Sequence, residues 1–140
     1  MRNAPVFKKR YIAIPVLIIF LILCYICFNF PPVGQSIIKK VKVNNLANLY
    51  ITQVSAGATT AFSYRYYLYD ASKSDQEFMD NLQDISPFLI IADDKAIVKI
   101  ENEAIHLQVK GEIYAFNSPA GYRVSTGLYT VGVYLKASPW

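Results

Sequence analysis

Residues 11–30 read YIAIPVLIIFLILCYICFNF, twenty positions without a charged side chain. No other stretch constrains the fold as strongly. At 1.5 Å rise per residue, a helix of this length covers about 30 Å, the hydrocarbon thickness of a bilayer. Thirteen of the twenty residues are Ile, Leu, Val or Phe. Each favours insertion by about 0.3–0.6 kcal/mol at the helix centre, an upper sum of about 4–8 kcal/mol. Pro15 falls in the first turns, where a missing amide donor costs least, and Tyr11 and Tyr25 can turn their hydroxyls toward polar surroundings or helix partners. Buried in a globular core, so long an apolar helix would need more cover than the remaining residues, about a hundred, can supply.

Arg2, Lys8, Lys9 and Arg10 ahead of an apolar run also imitate the start of a cleaved signal peptide. The run is too long for that reading, and its end, CYICFNFPP, lacks the pair of small residues that signal peptidase needs. Leu23 before Cys24 and Ile26 before Cys27 do not suit lipoprotein processing. The expectation is an uncleaved single-pass anchor, with a tail over 1–10 and a transmembrane helix over 11–30. Arg10 abuts the span, whereas the first downstream charge, Lys39, lies well beyond it. This asymmetry puts the N-terminus in the cytoplasm and the rest outside. The expected setting is a bacterial inner membrane with a periplasmic domain, and the lipid bilayer is the first expected partner.

Pro31, Pro32 and Gly34 stop the helix and open a stalk expected over 31–45, ahead of a β-rich extracytoplasmic domain over 46–140. Residues 49–54 and 61–69 are rich in β-branched and aromatic side chains and flank Ser55-Ala56-Gly57-Ala58, so they predict a hairpin. Phe62, Tyr64, Tyr66 and Leu68 would line one face of its second strand. Ser63, Arg65, Tyr67 and Tyr69 would line the other. Ser74 and Glu77 form a capping box ahead of Phe78, Met79, Leu82 and Ile85, which recur at helical spacing until Pro87. Asp75, Glu77 and Asp80 sit where the helix dipole favours negative charge, a structural role. PFLIIA, AIVKIE, AIHLQV and EIYAF then read as strands, with a meander as the simplest path. Asn117-Ser118-Pro119-Ala120-Gly121 is a turn before a last strand or strand pair in YRVSTGLYTVGVYL, with Gly127 or Gly132 as a bulge. The fold class is α+β and β-dominated: one N-terminal transmembrane helix, then a small antiparallel sheet domain with one packed helix.

The pI near 9.0 invites a nucleic-acid reading, but the excess is local. Beyond Lys42 there are seven Lys or Arg against ten Asp or Glu, so no phosphate-tracking surface and no nucleic-acid partner are expected. Lys39, Lys40 and Lys42 either touch lipid headgroups or solvate the stalk. Both cysteines lie within the span, so Cys24 and Cys27 read as packing residues, and the domain folds without a thiol. The single histidine, His106, alternates with Ile105 and Leu107 and is expected on the solvent side of a strand. No metal site, cofactor or catalytic set is apparent. Asp93, Asp94, Glu101 and Glu103 could form a weak calcium site or a carboxylate pair, but turn chemistry accounts for them.

Tyrosine is the informative surplus, with four in the six residues 64–69. Rigid rings with polar tips make good interface anchors, so Tyr64, Arg65, Tyr66, Tyr67 and Tyr69 are the candidate protein-binding residues. Burial between sheet and helix would equally absorb them. Gly57-Ala58-Thr59-Thr60-Ala61-Phe62, followed by YRYYLY, resembles a G-A-T-T-x-F hairpin of small, uncharacterised bacterial envelope proteins that join an anchor or lipoprotein signal to a compact β domain. The resemblance covers the first third of the domain. It implies compartment and architecture and brings no activity, and Ala56 stands where relatives often carry a polar residue or Cys, so no disulfide carries over. The expected function is non-enzymatic: a membrane-tethered module that binds another envelope protein, in one version an immunity protein against an envelope-acting toxin. The alternatives are a small structural subunit of an envelope complex, or a hydrolase using Asp93, Asp94 and Glu101.

Overall fold

Lys9–Asn29 form one helix, α1, in a computed structural model that describes residues 9–29, 34–55, 57 and 61–139. Its segment Lys9–Cys27 is long and apolar enough to cross a membrane. Pro15 lies inside it. Ile12, Phe20, Leu17 and Ile18 project to successive sides at 100° per residue, and all are half exposed or more. An apolar surface on every side marks a helix made for lipid or for burial. The strands belong to a second unit, residues 33–140.

That unit is built on a five-stranded antiparallel sheet, ordered β1 (Gly34–Lys42), β2 (Ala47–Ser55), β3 (Ser63–Asp70), β4 (Leu89–Ile91), β7 (Ile113–Phe116). The stalk expected over 31–45 is therefore corrected: residues 34–42 are a strand paired with β2. A bulge between Ile37 and Lys39 changes the phase of the strand, so SIIKKVK shows no clean alternation and its lysines resemble a solvated linker. Asn44 closes the β1–β2 turn, its Oδ1 accepting the Leu46 and Ala47 amides at 2.8 Å. The hairpin of β2 and β3 forms as its residue types dictate, with Leu49 opposite Leu68 and Tyr50 opposite Tyr67. Gly57, at φ 124°, supplies the left-handed conformation a glycine tolerates. Ala58, Thr59 and Thr60 of the G-A-T-T-x-F stretch, like Ala56 and the two prolines after the span, lie outside the described residues.

The meander also fails. β5 (Ile97–Glu101) and β6 (Ala104–Lys110) form a hairpin that leaves the first sheet and joins β10 (Val133–Ser138) in a second, ordered β10-β6-β5. In it β10 runs parallel to β6. Positive φ at Asn102 and Glu103 gives the two-residue turn between β5 and β6 the twist a hairpin requires. β8 (Ala120–Val124) and β9 (Gly127–Val131) make a separate hairpin with Gly127, at φ 148°, just past its turn. EIYAF, as β7, returns to the edge of the first sheet. Local patterning fixes each strand but not its neighbour, and β7 and β10 both find partners distant in sequence.

One apolar core joins the three sheets. Leu49, Ile51, Tyr66, Leu68, Leu89 and Ile91 from the first sheet pack with Ile105, Leu107, Val109 and Val133 from the second and Tyr122, Val124 and Val131 from the hairpin. Full burial of each aliphatic side chain is favourable by about 1.5–3 kcal/mol. The opposite face of the first sheet carries a smaller aromatic core under α2 (Asp75–Asp80), where Tyr50, Tyr67 and Phe78 meet. The capping box is present in full: Ser74 Oγ accepts the Glu77 amide, and Glu77 Oε2 accepts the Ser74 amide. The helix is shorter than its sequence period suggests. Asn81 Nδ2 donates to the Glu77 carbonyl at 2.8 Å, and a 3₁₀ turn (Leu82–Asp84) follows, yet Leu82 and Ile85 still pack on the aromatic core.

Candidate functional site

Of the five candidate binding residues, three are not available at a surface. Tyr64 and Tyr66 are 8% and 3% exposed in the large core, and Tyr67 is 2% exposed under Phe78. Strand alternation sends them to opposite faces, and each face of this central strand is covered. Burial, with Asp93 next in influence, pushes the Tyr66 hydroxyl up to about 12. Arg65 is half-buried opposite Thr52 and Ile90, with its Nε lacking a hydrogen-bond partner among the described residues. Tyr64, Arg65, Tyr66, Tyr67 and Tyr69 therefore form no continuous surface: of the five only Arg65 and Tyr69 keep partial exposure, Tyr69 half-buried against Phe78.

The covered aromatic face has a polar rim. Tyr50 stacks on Phe78 at 4.1 Å, and its hydroxyl donates to Asp75 Oδ1 at 2.9 Å. Lys40 Nζ meets the same oxygen at 2.8 Å and lies 5.2 Å from the Tyr50 ring centroid. The Lys40 hydrogen bond holds the Asp75 carboxyl below its ordinary range, and Asp75 raises Lys40 in return. Beside them Gln35 Nε2 donates to Thr52 Oγ1 at 2.7 Å and to Tyr67 Oη at 3.1 Å. These bonds tie β1 and α2 to the sheet, which is a structural role.

Of the carboxylates near the β4–β5 turn, Asp93 is likewise engaged. Asp93 Oδ1 accepts the Lys95 amide and Oδ2 the Lys110 amide, both at 2.8 Å, the turn chemistry its sequence context implies. His106 points away from the core, as its alternation predicts, and stacks on Tyr134 at 4.9 Å.

The most site-like feature is a groove of about 370 Å³ between the Ile85–Phe88 segment and the β8–β9 hairpin. Leu68, Ile85, Pro87, Phe88 and Leu128 make it largely apolar. It opens into a polar basin of about 680 Å³ that includes Asp70, Lys73 and Asn81. Tyr69, Asp84, Ile85 and Arg123 line both. Arg123 and Leu128 are paired across the hairpin; Leu128 is 70% exposed, and Arg123 has no ion pair among the described residues. An apolar slot beside a guanidinium without an ion pair among the described residues can seat an apolar side chain and a carboxylate together. Ser125-Thr126-Gly127 is the signal that finds this pair: a two-residue turn there sets Arg123 opposite Leu128, which reading YRVSTGLYTVGVYL as one strand or two leaves open. No protein-family model, curated protein or solved structure matches the chain.

Proposed function

We propose that this chain is a membrane-anchored, non-enzymatic protein-binding module. An uncleaved α1 holds it in a bacterial inner membrane, N-terminus in the cytoplasm and domain in the periplasm. Its groove takes a segment of an envelope protein that presents an apolar side chain next to a carboxylate. The observation that carries this reading is Leu128, largely exposed at the groove beside an Arg123 that lacks an ion partner among the described residues. Tethering confines the groove to the membrane plane and raises its effective concentration toward membrane-proximal partners. The carboxylate hydrolase is less favoured because both Asp93 oxygens are taken by backbone amides. A photo-crosslinking residue in place of Leu128, in living cells, is expected to trap one discrete protein adduct that Arg123→Glu abolishes. An adduct pattern indifferent to Arg123→Glu would refute the groove as the docking site, and a reporter fused at the C-terminus that is active only in the cytoplasm would refute the orientation.

A further inference from the structure

The sheet β10-β6-β5 sends Ile105, Leu107, Val109 and Val133 into the core, and no described element covers its other face. On that face the register sets Tyr134, His106 and Lys99 in one cross-strand row, Lys136, Gln108 and Ile97 in the next, and Ser138 with Lys110 in the third. Lys99, Gln108, Lys110 and Lys136 are exposed, and Tyr134 and Ile97 are 62% and 51% exposed. Lys95, Lys110 and Lys136 also share a groove of about 260 Å³ with Asp93, Gln108 and Ser138.

The charge distribution is uneven. Beyond Lys42 the chain has only seven basic residues against ten acidic ones, yet Lys95, Lys99, Lys110 and Lys136 gather here. None of the four is in an ion pair among the described residues. Asp93 lies in their midst, its oxygens accepting the Lys95 and Lys110 amides and forming no ion pair among the described residues, and Glu101 sits one row beyond Lys99. Four lysines against two acids, with no ion pair among the described residues, on an otherwise acidic domain favour a ligand of opposite charge.

Geometry narrows the ligand. Successive rows lie about 6.6–6.8 Å apart, the repeat of alternate residues in an extended chain, and neighbouring strands lie about 4.8 Å apart. Lys99 and Lys136 stand on the strands either side of β6, within a long side chain's reach of a segment laid over it, and Lys110 lies at the end of β6. We infer that this face binds an extended acidic segment of a partner protein, laid along β6 with carboxylates at alternate residues meeting Lys99, Lys136 and Lys110. Ile97 and Tyr134 give the segment's methylenes an apolar contact that a layer of lipid headgroups would leave unused. This surface is separate from the Arg123 groove in the residues it uses, and stands without it.

The test uses the full chain in phosphatidylcholine nanodiscs, with a fluorescein-labelled peptide of alternating Glu and Ser followed by anisotropy. Saturable binding is expected, weakening as salt rises. Lys99→Ala/Lys110→Ala/Lys136→Ala should weaken it about tenfold, the sum of several surface ion pairs. Arginine at all three positions should restore it, and Lys39→Ala, which removes an exposed lysine on β1, should leave it unchanged. Absence of binding by the parent chain overturns the inference. So does equal binding by the triple alanine variant with an unchanged thermal midpoint, or loss of binding that arginine does not restore. Phosphatidylglycerol vesicles captured through these three lysines, with the peptide left unbound, would assign the face to lipid and overturn it as well.

Discussion

α1 and β2 are both apolar runs, and they meet opposite fates. In β2 every position from Ala47 to Thr52 is buried, because one face enters the large core and the other lies under α2 or beside β1. In α1 the large apolar side chains from Tyr11 to Ile26 stay 48–70% exposed on every side. Protein covers the first run and nothing among the described residues covers the second. A strand of nine residues can be enclosed by its own sheet, the sheets packed on it and a short helix, whereas α1 shows no polar face and is long and apolar enough to cross a membrane. The proposed anchor is therefore a statement about solvent, and the proposed binding domain a statement about packing. The two should fail separately.

The largest expected effect breaks the helix and spares the domain. Leu17→Arg with Leu21→Arg puts two charges mid-span at about 2.5–3.5 kcal/mol each, about 5–7 kcal/mol together. The membrane-bound fraction should collapse on carbonate extraction while the domain's chemical denaturation midpoint holds. The next reverses the pattern. Phe78→Ala removes the ring that pins α2 between Tyr50 and Tyr67 and should cost about 3–5 kcal/mol in denaturant unfolding, with membrane retention unchanged. If Phe78→Ala costs little, the aromatic core is not what secures α2.

Smaller effects sharpen the account of the helix-covered face. Ser74→Ala removes a cap that the Glu77 amide uses and should lower stability by about 1 kcal/mol. Asp75 supplies the pH signature. Its folded value lies below its ordinary one, so its contribution is complete above about pH 4 and disappears as acid protonates it. Asp75→Asn should flatten that acid limb of the stability curve, and a limb of unchanged steepness would remove Asp75 from the ledger of acid sensitivity.

The sequence displays most of the local structure and little of the long-range pairing. The β2–β3 hairpin, the Ser74 capping box and the outward His106 all follow from residue types and alternation. β1 is hidden by a bulge and three lysines, and the parallel pairing of β10 with β6 leaves no local trace, because register between distant strands is set by the shared core. The tyrosine run is conspicuous in sequence and mostly buried. Arg123 and Leu128 are inconspicuous there, and become neighbours only once the turn at Ser125 and Thr126 is fixed.

The claim that governs the rest is that α1 remains part of the working protein as its membrane anchor. Intact mass of the chain extracted from washed membranes tests it most directly. The expected result is a membrane-embedded polypeptide that still includes residues 11–30, and a mature chain beginning beyond Phe30 in the aqueous fraction would contradict it.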